Sequence, residues 1–227
     1  MDPDYWHQRW REGRIGFHRS DVDPQLLEHH AVLSECVRVL VPLCGKTVDL
    51  EWLTVHGFEV VGVELSELAV QAFFAERRLT PSRREQGKFV VYQHGNLAIW
   101  VGDFFATSSV ELGVFDGVYD CAAMIALPAE LRARYTAHLQ TLLTPKAKML
   151  LVTVHFDAAG GPPFSVPAEE IAAAYSAAEV TLIDSVDARD DIPGALERGA
   201  TFVYENVYAL EFPELAIKSA STSPPNR

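Results

Sequence analysis

Hydrophobic positions along this chain change period repeatedly, and the changes mark out alternating strands and helices. Val37 to Val41 is a run of branched and leucine side chains that ends in Pro42-Leu43-Cys44-Gly45-Lys46, a turn with a single glycine. A short apolar run closed by a turn predicts a strand buried on both faces. Leu50 and Leu53 follow at helical spacing up to Gly57, and Glu59-Val60-Val61-Gly62-Val63-Glu64 predicts a second buried strand. Upstream, Asp4 to Glu12 is helix-like, with Trp6 and Trp10 on one face. Gln25 to Leu33 predicts a second short helix. Downstream, Glu67 to Leu79 is amphipathic, with Leu68, Ala69, Ala72 and Phe73 on one side. Lys88 to His94 and Leu97 to Gly102 predict two strands joined at Gly95-Asn96, a hairpin signal.

Val114 to Met124 is the next core segment, and Pro128 opens a helix whose Leu131, Tyr135, Leu139 and Leu142 recur at helical spacing. Lys148 to His155 predicts a strand, followed by a Gly160-Gly161-Pro162-Pro163 loop placed to shape one wall of a pocket, and Pro167 to Ala177 predicts a helix. Val180 to Val186 and Thr201 to Leu210 read as strands. The segment between them, Asp187 to Ala200, carries no helix signal, so the two are expected to pair as an antiparallel hairpin at one edge. The fold class is α/β: a Rossmann-like, mostly parallel sheet with helices on both faces and an antiparallel edge strand. Ligands bind such sheets at the carboxyl ends of the strands. We expect one domain over residues 1–212, with an N-terminal helical lid over about residues 1–35, and a disordered tail at 213–227.

Composition narrows the partners. Net charge is −12, and no Lys/Arg run stands clear of neighbouring acids. Without a positive face to displace counterions, nucleic acid and acidic membrane are not expected partners, which leaves a small molecule. The three cysteines, Cys36, Cys44 and Cys121, lack a C-x-x-C spacing and do not read as a disulfide framework, so a reducing, cytoplasmic location and a monomer are expected. The N-terminus lacks a signal-peptide pattern, and no apolar run reaches the roughly 18 residues of a membrane span.

The chemistry lies in the βαβ unit. Glu64 stands nineteen residues after Gly45, at the tip of the second strand, where a carboxylate can accept both hydroxyls of a ribose. A dinucleotide site needs three spaced glycines for close approach to a pyrophosphate, and this turn has only Gly45. Gly45-Lys46-Thr47 imitates the end of a phosphate-binding loop, but the first glycine of that motif falls at Leu40, inside the strand. S-adenosylmethionine carries no phosphate and fits one glycine and one acid. A second acid, Asp103 in Val101-Gly102-Asp103-Phe104-Phe105, has two readings: it accepts the adenine amino group while Phe104 packs on the ring, or it caps a helix beginning at Phe104.

Several ordered motifs then resemble the thiopurine S-methyltransferase family, in its bacterial form: Trp6-His7-x-x-Trp10 with Gly16-Phe17-His18, Val41-Pro42-Leu43-Cys44-Gly45-Lys46, Gly62-Val63-Glu64-Leu65-Ser66-Glu67, Gly102-Asp103-Phe104-Phe105, Ile125-Ala126-Leu127-Pro128 and Gly161-Pro162-Pro163-Phe164-x-Val166-Pro167. The resemblance covers the chain from Trp6 to Leu210. It implies a class I methyltransferase that uses S-adenosyl-L-methionine and releases S-adenosyl-L-homocysteine. Trp10 and the backbone at Leu43 would contact the cofactor, Glu64 would hold its ribose, Asp103 and Phe104 would flank the adenine, and Phe17 would line the acceptor pocket. The implied reaction is methyl transfer to the sulfur of small aromatic or heterocyclic thiols, a detoxifying activity that in bacterial members extends to selenium and tellurium compounds.

One position departs from the family. Where an arginine is usual in Tyr119-Asp120-Cys121-Ala122-Ala123, this chain has Cys121, a candidate substrate-site residue, which removes a fixed fork of donors and a permanent charge, so contacts of that arginine to the cofactor carboxylate or to the acceptor do not carry over. Arg189 and Arg198 are the candidates to supply positive charge instead. Cys121 itself reads as an inert, partly apolar residue. Lys46 is expected in solvent, Trp6 in the core, and the adjacent His29-His30 do not read as a metal site, since neighbours on a helix diverge. No general base is required by a thiol that ionises unaided; if one is used, the candidate is Asp157. The alternatives kept open are a non-catalytic S-adenosylmethionine-binding protein and an oxidoreductase on the same fold.

Overall fold

The structure, a computed structural model, describes residues 3–214. From residue 215 onward the expected tail lies outside the described residues. Nine strands form one sheet: β1 (Arg38–Pro42), β2 (Glu59–Glu64), β3 (Ser82–Gln86), β4 (Phe89–His94), β5 (Leu97–Val101), β6 (Phe115–Asp120), β7 (Leu143–Phe156), β8 (Glu179–Asp187) and β9 (Val203–Glu211), in the order β3-β4-β5-β2-β1-β6-β7-β9-β8. The central five, β5-β2-β1-β6-β7, are parallel. Both flanks are antiparallel, β3-β4-β5 on one side and β7-β9-β8 on the other.

The helices are α1 (Pro3–Arg11), α2 (Pro24–His29), α3 (Asp49–Val55), α4 (Glu67–Glu76), α5 (Ser109–Leu112), α6 (Ala123–Ala126), α7 (Ala129–Gln140), α8 (Ala168–Ala174) and α9 (Pro193–Glu197). Alternation along each parallel strand divides the core between the two faces. Val39 and Val41 pack with Leu26, Leu50, Leu53 and Phe73 of α2, α3 and α4. Leu40, Val61 and Val63 share the opposite layer with Met124, Tyr135, Leu139 and Ile171 of α6, α7 and α8. Burial on both faces is why these strands read as continuous hydrophobic runs.

Three elements differ from expectation. Ser82–Gln86 forms a strand although its five residues, Ser-Arg-Arg-Glu-Gln, show no apolar alternation. It is an outer edge held to β4 by backbone pairing and by polar side-chain bonds from Arg83 to the Tyr92 hydroxyl and from Arg84 to Gln93, and a charged edge resists pairing with other chains. The segment before β9 contains the one-turn helix α9, whose only fully buried side chain is Ala195. The hairpin of β8 and β9 is antiparallel as expected, but β9 also pairs with β7.

Two contacts set the shape of the sheet's carboxyl end. A Cβ built on Gly62 would lie 2.8 Å from Cys44 Sγ, so glycine at this point of β2 is what lets the turn after β1 fold down against it. At the tip of β6, Asp120 is fully buried; its Oδ1 accepts the Ala123 N–H at 2.9 Å and the Met124 N–H at 3.3 Å, and its Oδ2 accepts the Tyr135 hydroxyl at 2.6 Å. Burial pushes this carboxyl up to about 6, against the pull of those donors.

Gly62→Ala should destabilise the fold by about 1–3 kcal/mol in urea denaturation through overpacking against Cys44. Adding Cys44→Ala should recover most of that loss, and a purely additive double variant would reject the contact as the cause. Asp120 gives a pH test. Its native carboxyl holds a proton more tightly than the unfolded one, so its contribution is complete below about pH 4 and is lost as pH rises through about 6, a change of roughly 3 kcal/mol. Asp120→Asn, which keeps the amide acceptor, should gain stability relative to the parent across that window; a pH-independent difference would contradict the assignment.

Candidate active site

The turn after β1 is built from two left-handed residues, Leu43 at φ +49° and Gly45 at φ +55°. Leucine seldom adopts this conformation, and such strain is concentrated where backbone must be aimed at a ligand. The turn is fastened to β2 from two directions. Cys44 donates its N–H to the Val63 carbonyl at 3.0 Å. Glu64 Oε2 accepts the Gly45 N–H at 2.8 Å, and its Oε1 accepts the Ser66 N–H at 2.7 Å. Only 6 % of Glu64 is exposed, so burial raises its pKa, and the Ser66 and Gly45 amides pull it back. The Leu65 amide adds a third, weaker pull in the same direction, and a carboxylate has room for further donors beyond these.

The N-terminal segment lies over this turn. The Trp10 ring comes to 3.3 Å from the position a Cβ would take on Gly45. Phe17 is edge-on to both Trp10 and Trp6, with centroids 5.8 and 5.7 Å away, and 47 % of it is exposed. The two tryptophans are therefore one aromatic group with Phe17, and neither belongs to the sheet's core. Lys46 differs from expectation: it is buried and its Nζ pairs with Glu76 of α4 at 2.5 Å, because α4 brings an acid back over the turn.

Asp103 is exposed, and its Oδ1 accepts the Phe105 N–H at 2.9 Å, which caps a short 3₁₀ turn over Phe104–Ala106. The capping reading is thus realised, and the second carboxylate oxygen stays at the surface beside it. The Phe104 ring is 4 % exposed and packs against Tyr135 and His138 at 5.5 and 5.0 Å. The ring is committed to the core, and the first amide of a 3₁₀ turn has no intrahelical acceptor of its own.

Cys121 follows Asp120 at the end of β6 and is half-buried; its thiol donates to Asp23 Oδ2 at 3.3 Å, and burial pushes its pKa well up. An un-ionised thiol is a poor nucleophile, which agrees with an inert reading. Arg189 and Arg198 are engaged elsewhere. Arg189 pairs with Asp187, and Arg198 donates to the Pro163 carbonyl and lies over the Phe156 ring. Asp157 is also committed: its two oxygens accept the Thr201 N–H at 2.7 Å and hydroxyl at 2.6 Å, which hold its pKa down and weaken it as a base. Phe164, at the end of the proline loop, donates its N–H to the Ile125 carbonyl, so that loop seats on α6.

Four polar residues at this end were not singled out from the sequence. Asp49 accepts from the Asp23 N–H at 2.9 Å, the Thr47 hydroxyl at 2.9 Å and the Tyr119 hydroxyl at 3.0 Å. Asp23 caps α2 through the Gln25 N–H, and Gln25 reaches Glu205 on β9 at 3.0 Å. Asp23-Pro24 is a helix-start signature that could have been found; the link to Glu205, 180 residues on, could not. His29 Nε2 lies 3.2 Å from Asp184, tying α2 to β8. Two surface clefts lie at the other end of the sheet, around Arg38, Glu59 and Asn96 and around Cys36, Asp116 and Lys148.

The groups here suit a nucleoside with a sulfonium: a buried carboxylate beside a glycine turn, an exposed acid at the end of the neighbouring strand, and aromatic cover. Comparison with known proteins agrees. The family model of thiopurine S-methyltransferase (TPMT) matches residues 1–212. A thiopurine S-methyltransferase of Pseudomonas fluorescens (strain SBW25) is 44 % identical over 217 residues, covering 92 % of this chain and 99 % of that protein. One from Azotobacter vinelandii is 44 % identical over 216 residues, covering 93 % and 99 %. Among solved structures, a Burkholderia thailandensis 1,6-didemethyltoxoflavin-N1-methyltransferase with bound S-adenosylhomocysteine superposes with a TM-score of 0.62 at 18 % identity, over 93 % of this chain and 87 % of that one. TehB from Haemophilus influenzae gives 0.59 at 11 %, over 93 % and 67 %. These distant likenesses show the fold. No helix among the described residues is long and apolar enough to cross a membrane. The chain belongs to the thiopurine S-methyltransferase family and is a methyltransferase of the S-adenosylmethionine-dependent kind.

Proposed function

We propose that this methyltransferase acts on the sulfur of small aromatic or heterocyclic thiols, and on selenium or tellurium compounds of similar nucleophilicity. One observation carries the reading: three carboxylates at the sheet's carboxyl end, Asp157, Asp120 and Asp49, are already committed to structural donors on both oxygens. Asp157 serves Thr201, Asp120 serves Tyr135 and the start of α6, and Asp49 serves three donors. A site without a poised base favours an acceptor that ionises near neutral pH unaided, and aryl and heterocyclic thiols do so.

When bound, S-adenosylmethionine supplies a methyl group already activated by a sulfonium centre. What the chain adds is holding and enclosure. Glu64 would hold the ribose with the lone pairs that Gly45 and Ser66 leave free, the Leu43 backbone and Trp10 would hold the methionine end, and Asp103 with the Phe104 amide would hold the adenine. Trp10 and Phe17 would close over the acceptor, excluding water and facing a dispersing positive charge with aromatic rings. Bringing the acceptor sulfur into line at about 3–3.5 Å is then most of the catalysis.

Titration calorimetry with S-adenosylhomocysteine should show binding that Glu64→Ala weakens by about 1–3 kcal/mol, since a buried hydrogen-bonding acceptor is lost. A variant that binds as the parent does would remove Glu64 from the site. A screen with labelled methyl donor over aryl thiols, thiopurines, selenite and tellurite should give methylated products; binding without any turnover would instead support a non-catalytic role.

A further inference from the structure

The acceptor side of this site, around Cys121, is strongly acidic. Asp23 and Asp49 are each 3 % exposed, and they meet directly, the Asp23 N–H on Asp49 Oδ1. Glu205 reaches the same place from β9, and its pKa is raised by burial first and by Asp23 second. Cys121 feels Asp23, Asp49 and Glu205 together. The opposing charge is thin. Arg19, with 45 % of its side chain exposed, approaches Asp23 at 3.9 Å; Arg77 acts on Asp49 from further off and is itself paired with Glu51; and neither Asp49 nor Glu205 forms an ion pair among the described residues. Asp191 adds a further negative charge toward Glu205.

A second observation points to a ligand here. Gln25 is 94 % buried, its amide nitrogen is held by Glu205, and its Oε1 has no hydrogen-bond partner among the described residues. A buried amide oxygen without a donor is costly, so it marks a place where a donor belongs. Thr47 and Asp49 connect the cluster to the glycine turn, which places it beside the cofactor end of the site. The outer members, Cys121 and Glu205, are partly exposed, so the cluster is open to an incoming group.

We propose that this site selects acceptors carrying a protonated amine, with the ammonium group seated among Asp23, Glu205 and Gln25 Oε1 and the thiol directed toward the turn. The inference rests on the thiol-methylation reading above for its reaction. The acceptor sulfur forms its bond to the methyl carbon, the bond from that carbon to the sulfonium sulfur breaks with its electron pair going to that sulfur, and the thiol proton leaves to solvent. The ammonium is an anchor and takes no part in bond making. An anionic acceptor would meet like charges and no cation fork, since position 121 is a cysteine.

The test uses three thiophenols that differ only in the para group: aminomethyl (cationic), methyl (neutral) and carboxylate (anionic). At low ionic strength KM should be lowest for the cation, about tenfold or more below the anion, with kcat little changed, and added salt should shrink the gap. Glu205→Gln should narrow the spread and Cys121→Arg should reverse it. Binding of the three S-methyl thioethers to the chain saturated with S-adenosylhomocysteine measures the same preference without turnover. Cation-first binding with no methylation of any thiol would overturn the thiol-methylation reading and uphold the charge preference. Methylation with equal or anion-first binding by the intact chain would overturn the charge preference alone.

Discussion

Everything at the carboxyl end of the sheet depends on one buried carboxylate. Glu64 sits at the tip of β2 with an N–H from Gly45 on one oxygen and an N–H from Ser66 on the other. Burying an ionised acid is costly, and only charge-assisted hydrogen bonds of this kind make the position tolerable. In return the acid fixes the height and tilt of the glycine turn, which otherwise has a strained leucine in it. The constraint extends outward: the turn's height requires glycine at position 62, where a Cβ would meet Cys44, and glycine at 45, where Trp10 lies against the backbone. The backbone of the turn and the aromatic cover are positioned by the same two hydrogen bonds.

A second set of acids is held by a different logic. Asp49 and Glu205 are driven up by burial before anything else, and their hydrogen-bond partners are neutral hydroxyls and amides, while the Cys121 thiol donates to Asp23 beside them. Neutral donors satisfy lone pairs without cancelling charge, so the negative potential is preserved for whatever approaches Cys121. The structure therefore separates two functions of carboxylates. Asp157 and Asp120 fasten loops and helices, while the group around Asp23 keeps a field.

The central βαβ unit was readable because its signals are local. A run of apolar residues, one glycine and an acid nineteen positions later describe a strand, a turn and a strand tip with no need of distant residues. Strand β3 was invisible for the opposite reason, since all five residues are polar and the strand exists only because β4 offers an unpaired edge. Lys46 was misplaced because its partner Glu76 is delivered by the far end of α4. Phe104 followed the same rule: beside Asp103 it looks like part of the site, but Tyr135 and His138 of α7 take its ring into the core.

By itself the sequence determined the order of the elements, the parallel sheet, the single-glycine turn with its acid, and the family motifs that surround them. These follow from periodicity and short spacings, which chain geometry alone turns into local structure. Only the tertiary structure decided which groups meet at the carboxyl end: Trp10 on Gly45, Cys121 on Asp23, Gln25 on Glu205. Those contacts join residues 35, 98 and 180 positions apart, and they form because the strand order of the folded sheet, set by packing on both its faces, places their elements side by side.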